Sequence, residues 1–301
     1  MKWAVERNIK KYSSLYTQML KFNFKTNLKL KRMKLLKTVL AVSVIAFSAH
    51  LNTAVAQAKK EVPAYKILDL PRVDIKKFKK NKAGAYVIFD GTSLEGWRGY
   101  DKTVVPKRWV INEGAIKFDS QANVGKEEGG DLVFAHDFKN FELEMEWKVA
   151  KGANSGIFFL AKEVEGQPIY ISSPECQVLD NENHPDAKMG VDGNRKSTSL
   201  YDMIPAKPQN GKPYGEWNKV KIRVNNGKVE HFQNGVKVVE YTLWDKSWID
   251  LLQKSKFSEE KWPLAFELLS HVGGDSKSGL IGLQDHGNDV WFKNITVKVL
   301  K

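Results

Sequence analysis

The residues best placed to do chemistry lie between Pro174 and Asp186, in the stretch PECQVLDNENHPD. Side chains two apart in a strand share a face, so Glu175 and Gln177 point one way while Cys176 and Val178 point the other. A carboxylate and an amide are thereby presented side by side, with Asp180 just beyond the strand and His184 and Asp186 in the loop behind. That pair suits binding a sugar or cleaving one, or is only a satisfied polar pair on a sheet surface. His184 with Asp180 and Asp186 also offers nitrogen and oxygen donors suited to a divalent metal ion, although no recognised metal-ligand spacing is present.

Further candidates are scattered along the chain. Asn154 and Ser155, before Gly156, could hydrogen-bond a hydroxyl or simply form a turn into a strand. Arg223 alternates with Ile222 and Val224, which fits a solvated position or one that binds a sugar hydroxyl. Gln284, Asp285 and His286 form a polar cluster after the apolar run Leu280 to Leu283. It is either a loop cap or a source of acid–base chemistry near neutral pH. Trp97, Trp109, Trp147, Trp217 and Trp291 read as core, whereas Trp244, Trp248 and Trp262 are the better candidates for stacking at a rim.

Strands are the elements that must hold these groups. FELEMEWKV, Phe141 to Val149, alternates apolar and charged residues without a break, so one face is core and the other solvent. Ala85 to Phe89 precedes it. Trp217 to Val224, Val229 to Gln233 and Val236 to Tyr241 form a meander through Asn226-Gly227 and Asn234-Gly235 turns. A helix is expected at Ser247 to Lys254, with Trp248, Leu251 and Leu252 on one side, and strands at Leu264 to Leu269, Leu280 to Leu283 and Val290 to Leu300. No internal repeat and no nucleotide-binding glycine pattern interrupts this series. Many short strands with one short helix predict an all-β, two-sheet antiparallel sandwich.

The first 58 residues have a different character. Residues 35 to 49 are an apolar run of signal-peptide length, preceded by Lys29, Lys31, Arg32 and Lys34 and followed by Ala54, Ala56 and Ala58 in A-x-A spacing. This predicts export to the periplasm or beyond, with Met33 the more natural start, no lipobox cysteine and no stable membrane span after cleavage. Residues 59 to 84 read as a lysine-rich tether too poor in apolar residues to pack independently, and residues 85 to 301 as the folded domain. Residues 1 to 58 carry a net +10 of the chain's +13, so residues 59 to 301 keep only +3. The basic balance therefore does not indicate a nucleic-acid partner. Cys176 is the sole cysteine, which excludes an internal disulfide and a cysteine-based zinc site. Nothing in the pattern sets an oligomeric state.

Taken together, FDGTSLEGW (Phe89 to Trp97), NSGIFF (Asn154 to Phe159), ECQVLDN (Glu175 to Asn181), LYDMIPA (Leu200 to Ala206), GEWNKVKIRV (Gly215 to Val224), the Asn234-Gly235 turn and GLIGLQDHG followed by FKNI (Gly279 to Ile295) resemble the 3-keto-disaccharide hydrolase domain family. The resemblance spans about residues 85 to 301. It implies a concanavalin-like jelly roll, export, and action on sugars whose C3 hydroxyl has been oxidised to a ketone.

Laminarinases, relatives in that superfamily, carry their acids as E-x-D-x-x-E, where this chain has Glu175, Gln177 and Asp180. Ordinary retaining hydrolysis needs two carboxyl groups about 5 Å apart, and the middle one here is an amide. A C3 ketone permits another route, because it acidifies the C2 hydrogen. A base removes that proton, the C1 substituent leaves with help from an acid, and water adds to the unsaturated sugar. On this reading Glu175 is the base. His286, Tyr201, Arg223 or a divalent ion supplies the acid or stabilises the enolate, and Asn154, Gln177, Asp180, Arg223 and Gln284 bind the carbohydrate. The alternative is a lectin-like sandwich in which the same residues only bind hydroxyls.

Overall fold

The computed structural model describes residues 61–301, so the signal-type segment and its upstream extension lie outside the described residues. No helix among the described residues is long and apolar enough to cross a membrane.

Two antiparallel sheets make a jelly-roll sandwich. The larger has the order β11 (Val236–Thr242), β10 (Lys228–Gln233), β9 (Asn218–Asn225), β6 (Phe141–Val149), β13 (Val290–Val299), β4 (Ala115–Phe118) and β3 (Trp109–Asn112), with β1 (Tyr86–Phe89) also pairing β13. The smaller has the order β2 (Trp97–Gly99), β5 (Leu132–Phe138), β12 (Gly279–Leu283), β7 (Asn154–Ala161) and β8 (Glu175–Leu179). On β6 the alternating sequence becomes alternating burial: Phe141, Leu143, Met145, Trp147 and Val149 face the core. Both Asn-Gly turns adopt left-handed backbone at both residues, with φ of 49° and 86° at Asn226-Gly227 and 48° and 86° at Asn234-Gly235. This is the hairpin geometry those residues favour.

The apolar core lies between the sheets. β8 contributes Cys176 and Val178 to it, and β7 contributes Ile157 and Phe159. Glu175 and Gln177 therefore face away from the larger sheet. Helix α1 (Lys246–Lys254) is capped by Asp245, whose side chain accepts from the Trp248 N–H. Trp248 is fully buried and stacks on Tyr241 with ring centroids 5.7 Å apart, so it is a core residue and not the rim platform its sequence setting suggested.

Leu264 to Leu269, expected as a strand, lies within a second helix, α2 (Pro263–Ser270). Its apolar run is too short for periodicity to separate the two states. Pro263 opens the helix where a missing N–H costs nothing. Burial of Leu264, Ala265, Leu268 and Leu269 then follows the helical spacing.

The expected tether is docked on the sandwich. Leu68 N–H donates to Glu163 O, Val73 N–H donates to Ala135 O, and Phe78 packs edge-on against Phe134. At the centre is Glu163, 0% exposed, held by both guanidinium nitrogens of Arg98 at 2.5 and 2.7 Å and by Arg72 at 3.2 Å. Composition sees a lysine-rich segment with few apolar residues, but Ile75 enters the core, Val73 and Phe78 pack against it, and Arg72 reaches a buried carboxylate.

Arg72 also reaches Asp137 and the Leu70 carbonyl, and hydrogen bonds to charged groups typically contribute about 1.5–3 kcal/mol. Arg72→Ala is expected to cost about 1–2 kcal/mol, since Arg98 still satisfies Glu163 and Arg72 is partly solvated. Urea denaturation reads this out. An unchanged midpoint would mean that the Arg72 ion pairs contribute nothing to the domain.

Candidate active site

The site is built on the outward face of the smaller sheet, and the register of four strands places it. Leu283 pairs with Leu132 and Gly282 with Val133, so continuing the register sets Gln284 beside Asp131. Gln284 N–H donates to Gly156 O at 2.9 Å, and Gly156 pairs with Gln177. Asp131, Gln284, Gly156 and Gln177 thus form one row across β5, β12, β7 and β8. Glu175 stands in the next row, paired with Phe158, and its carboxyl bends back over Gly156. A Cβ on that glycine would lie 2.4 Å from Glu175 Oε1. Glycine here is the space the carboxylate occupies.

β8 is not a bare edge. Gln177 N–H donates to Ser199 O, Thr198 N–H to Gln177 O, and Tyr201 N–H to Glu175 O. Two left-handed non-glycine residues, Thr198 (φ 65°) and Asp202 (φ 61°), bend this covering segment. Tyr201 OH donates to Asp186 Oδ2 at 3.0 Å. Arg195 holds Asp186 at 2.8 Å and Asp202 at 2.7 Å, and Lys256 N–H donates to Asp202 Oδ2 at 2.9 Å. The Lys256 ammonium lies 4.4 Å from the Tyr201 ring centroid, 5.3 Å from Tyr170 and 4.9 Å from Phe257. Trp262 packs on both Tyr170 and Phe257, so of the three rim tryptophans it alone reaches this cluster.

The electrostatics are those of ionisable groups withdrawn from water. Glu175 is 7% exposed, and burial pushes its carboxyl up to about 8, with the Asp131 and Asp186 charges adding to the effect against Lys256. Burial raises Asp131 to about 7 even though it accepts from the Asp285 N–H. Lys256 is pulled below the usual ammonium range by desolvation, against the opposing charges of Glu175, Asp202 and Asp186. Burial and then Asp186 push the Tyr201 phenol far up. Carboxyls raised toward neutral pH beside an amine of lowered basicity are the usual signature of acid–base work.

Three amides complete the lining. Asn154 Oδ1, Gln177 Nε2 and Gln284 Oε1 are buried and have no hydrogen-bond partner among the described residues. Buried polar atoms are rarely left so, and polyol hydroxyls are partners of the right kind.

Several sequence candidates are placed differently. Arg223 lies on β9 of the other sheet, paired with Glu142 at 3.3 Å and Glu230 at 3.2 Å, and takes no part in the cluster. Alternation identified a polar face but not which sheet it belonged to.

Asp180, 2% exposed, accepts from Gly152, Glu182 and Asn183 N–H groups and from Asn183 Nδ2. Burial would raise its carboxyl, but these donors outweigh that and hold it low. Both of its oxygens are taken up in organising the loop. Asp186 is taken by Arg195 and Tyr201, and His184 Nδ1 accepts from the Asp186 N–H. Among the described residues no group of three or more His, Cys, Asp or Glu side chains could hold a metal ion, so the proposed Asp180–His184–Asp186 set is not assembled. His286 is exposed and edge-on to His184, with rings 6.0 Å apart, at the margin of the cluster and not beside Glu175.

Sequence reasoning missed Asp131, Tyr170, Arg195 and Lys256. Only Asp131 left a signal, as the residue after Gly129-Gly130 that opens the apolar run LVF.

Fold and site together define a jelly-roll sandwich with a cluster of buried and half-buried ionisable groups on the outward face of its smaller sheet. Residues 84–298 match the 3-keto-alpha-glucoside-1,2-lyase-like domain, and the chain belongs to that family. A curated relative from Bacteroides thetaiotaomicron, 3-keto-disaccharide hydrolase, is 62% identical over 228 residues, covering 72% of this chain and 79% of the relative. The crystal structure of a proposed glycosyl hydrolase from Parabacteroides distasonis superposes with a TM-score of 0.62 at 25% identity, covering 79% of this chain and all of that one. A second such structure from the same organism, at 24% identity and a TM-score of 0.53 over 72% of this chain and 99% of the other, shares the fold.

Proposed function

We propose that this enzyme cleaves the glycosidic bond of 3-keto-glycosides, 3-keto-disaccharides among them, by removing the C2 proton, expelling the C1 substituent and adding water. The observation that carries the reading is the Glu175 carboxyl laid over Gly156, out of water and raised in basicity, beside a tyrosine, a second carboxyl and a lysine. Family membership and the 62% identical relative support the substrate class.

Glu175 takes the C2 proton. Charge developing on the C3 oxygen meets Lys256 and Tyr201, and a protonated Asp131 or Tyr201 can deliver a proton to the leaving oxygen. The free amide atoms of Asn154, Gln177 and Gln284 hold the hydroxyls. A pure lectin has no use for carboxyls raised into the neutral range beside an amine of lowered basicity, so the binding-only alternative is the weaker reading. The signal-type run at residues 35 to 49 supports action in the periplasm or outside the cell.

The test is aglycone release from a panel of 3-keto-α- and 3-keto-β-glucosides, followed by chromatography, with the unoxidised glucosides as controls. Release confined to the keto substrates is expected. Silence across the whole panel would sink the enzyme reading.

A further inference from the structure

Lys256 has features that an electrostatic role alone does not require. Its amine is set against the rings of Tyr170, Tyr201 and Phe257 at 4.4–5.3 Å, and the first opposing charge it feels is that of Glu175. Its main chain is fixed by Asp202, which is itself clamped by Arg195. A half-buried lysine held among aromatic rings, beside a carboxyl able to take its proton, is a nucleophile toward carbonyl carbon. The substrate class proposed above carries one ketone, adjacent to the carbon that Glu175 must deprotonate.

Resting on that reading, we propose that Lys256 forms a Schiff base with the C3 carbonyl, so that the proton is lost from C2 of an iminium ion and not of a free ketone. The amine lone pair makes the C3–N bond, and the carbonyl oxygen leaves as water after taking one proton from the attacking nitrogen and one from the Glu175 carboxyl that had accepted the lysine proton, which returns Glu175 to its ionised form. Glu175 removes the C2 proton, and the C–H pair becomes the C2=C3 bond of an enamine, neutralising the nitrogen. That pair then moves to C1=C2 as the C1–O bond breaks, the nitrogen regains its positive charge, and the leaving oxygen collects a proton from the acid. One water adds at C1 and C2, and a second hydrolyses the imine, freeing Lys256. One water is released and two are consumed, which is the stoichiometry of glycoside hydrolysis. The depressed basicity of Lys256 agrees with this role, because only the neutral amine attacks.

Reductive trapping tests it. The enzyme is incubated at neutral pH with a 3-keto-glucoside and cyanoborohydride, which reduces iminium ions in preference to ketones, and digested for mass spectrometry. The wild type is expected to carry a sugar adduct on the peptide containing Lys256 and to lose activity as labelling proceeds. Glu175→Gln is expected to label at the same lysine, but more slowly because the amide cannot take the ammonium proton, while turnover is lost because the C2 proton cannot be removed. Lys256→Arg, which keeps the positive charge, is expected to lose labelling at this peptide and at least 100-fold in turnover, about the size reported for loss of one acid–base or oxyanion group, with its thermal melting checked against the wild type.

Aglycone release by the wild type without an adduct above that on surface lysines, or Lys256→Arg turning over within a few-fold of wild type, would overturn the covalent step and leave the proposed function standing. Absence of both release and adduct would bring down the two together.

Discussion

Glu175→Gln is expected to lower kcat/KM toward 3-keto-glycosides by roughly 10³-fold, within the range that a positioned general base contributes. The substitution keeps shape and hydrogen-bonding capacity but cannot accept the C2 proton. Its effect on stability should have the opposite sign. Burial raises the Glu175 carboxyl from its ordinary 4.5 to about 8, so between those values the folded state holds a proton that the unfolded state has released. Stability contributed by this group is full below about 4.5 and is lost as pH rises through about 8.

Replacing the carboxyl with a neutral amide removes that loss, so the variant is expected to melt no lower than wild type at pH 7 to 8 and to show a flatter fall in stability across that window. The same shift sets the rate profile. The base works ionised, so wild-type kcat/KM is expected to climb with pH through the neutral range, well above the limb of an ordinary carboxylate, levelling off near pH 8 where Tyr201 delivers the proton and turning down before it where Asp131, raised to about 7, is the acid. Thermal melts and pH–rate profiles of both proteins check these expectations. A variant retaining activity within tenfold would remove Glu175 as the base, and a wild-type limb near pH 4 to 5 would remove its perturbed environment from the mechanism.

The sandwich was legible because period-two patterning is local. Every second residue of FELEMEWKV is written for the core, and Asn226-Gly227 and Asn234-Gly235 require backbone that their neighbours cannot adopt. Patterning failed where it carries no length information, at Pro263–Ser270. It also failed where the outcome depends on contacts between distant segments, as for Ile75 in the core and Arg72 on Glu163.

The site was only half legible, for a related reason. Alternation on β8 fixed that Glu175 and Gln177 share a face, and family motifs drew attention to Tyr201, Asn154 and Gln284. The row from Asp131 to Gln177, however, is a property of strand register, set by hydrogen bonds between segments far apart in the chain. Lys256 sits in SKFSEEKW, where it looks like a solvated lysine. What makes it unusual is the approach of Tyr170 and Tyr201 from two other loops. Arg223 shows the converse limit, a polar face that alternation identifies without saying which sheet it belongs to, because both sheets of a sandwich present an alternating outward surface.

Gly156→Ala should convert that geometry into a measurable loss with almost no chemical change. Gly156 lies mid-strand without left-handed backbone, so alanine suits its conformation and would ordinarily stabilise a strand by a few tenths to about 1 kcal/mol. Here the added methyl would meet Glu175 Oε1 at 2.4 Å and the rest of its carboxyl-bearing arm at 2.9 Å. Real Cβ atoms do not approach heavy atoms so closely, so the carboxyl must move by several tenths of an ångström or more. The row beside it offers little room, since Gln177 and Gln284 flank Gly156 in register. A displacement of about 1 Å in a positioned catalytic group costs on the order of 10²-fold in rate.

The expectation is therefore a kcat lower by about that factor, a smaller change in KM because Asn154, Gln177 and Gln284 still hold the hydroxyls, and a melting temperature near that of wild type. Steady-state kinetics against a 3-keto-glucoside, with a melt on the same sample, would decide it. Unchanged kcat would mean that the carboxyl has a second productive position and that the glycine is there for the strand alone. A collapse in melting temperature would mean that the alanine is accommodated by breaking the β7–β8 pairing and not by moving the acid.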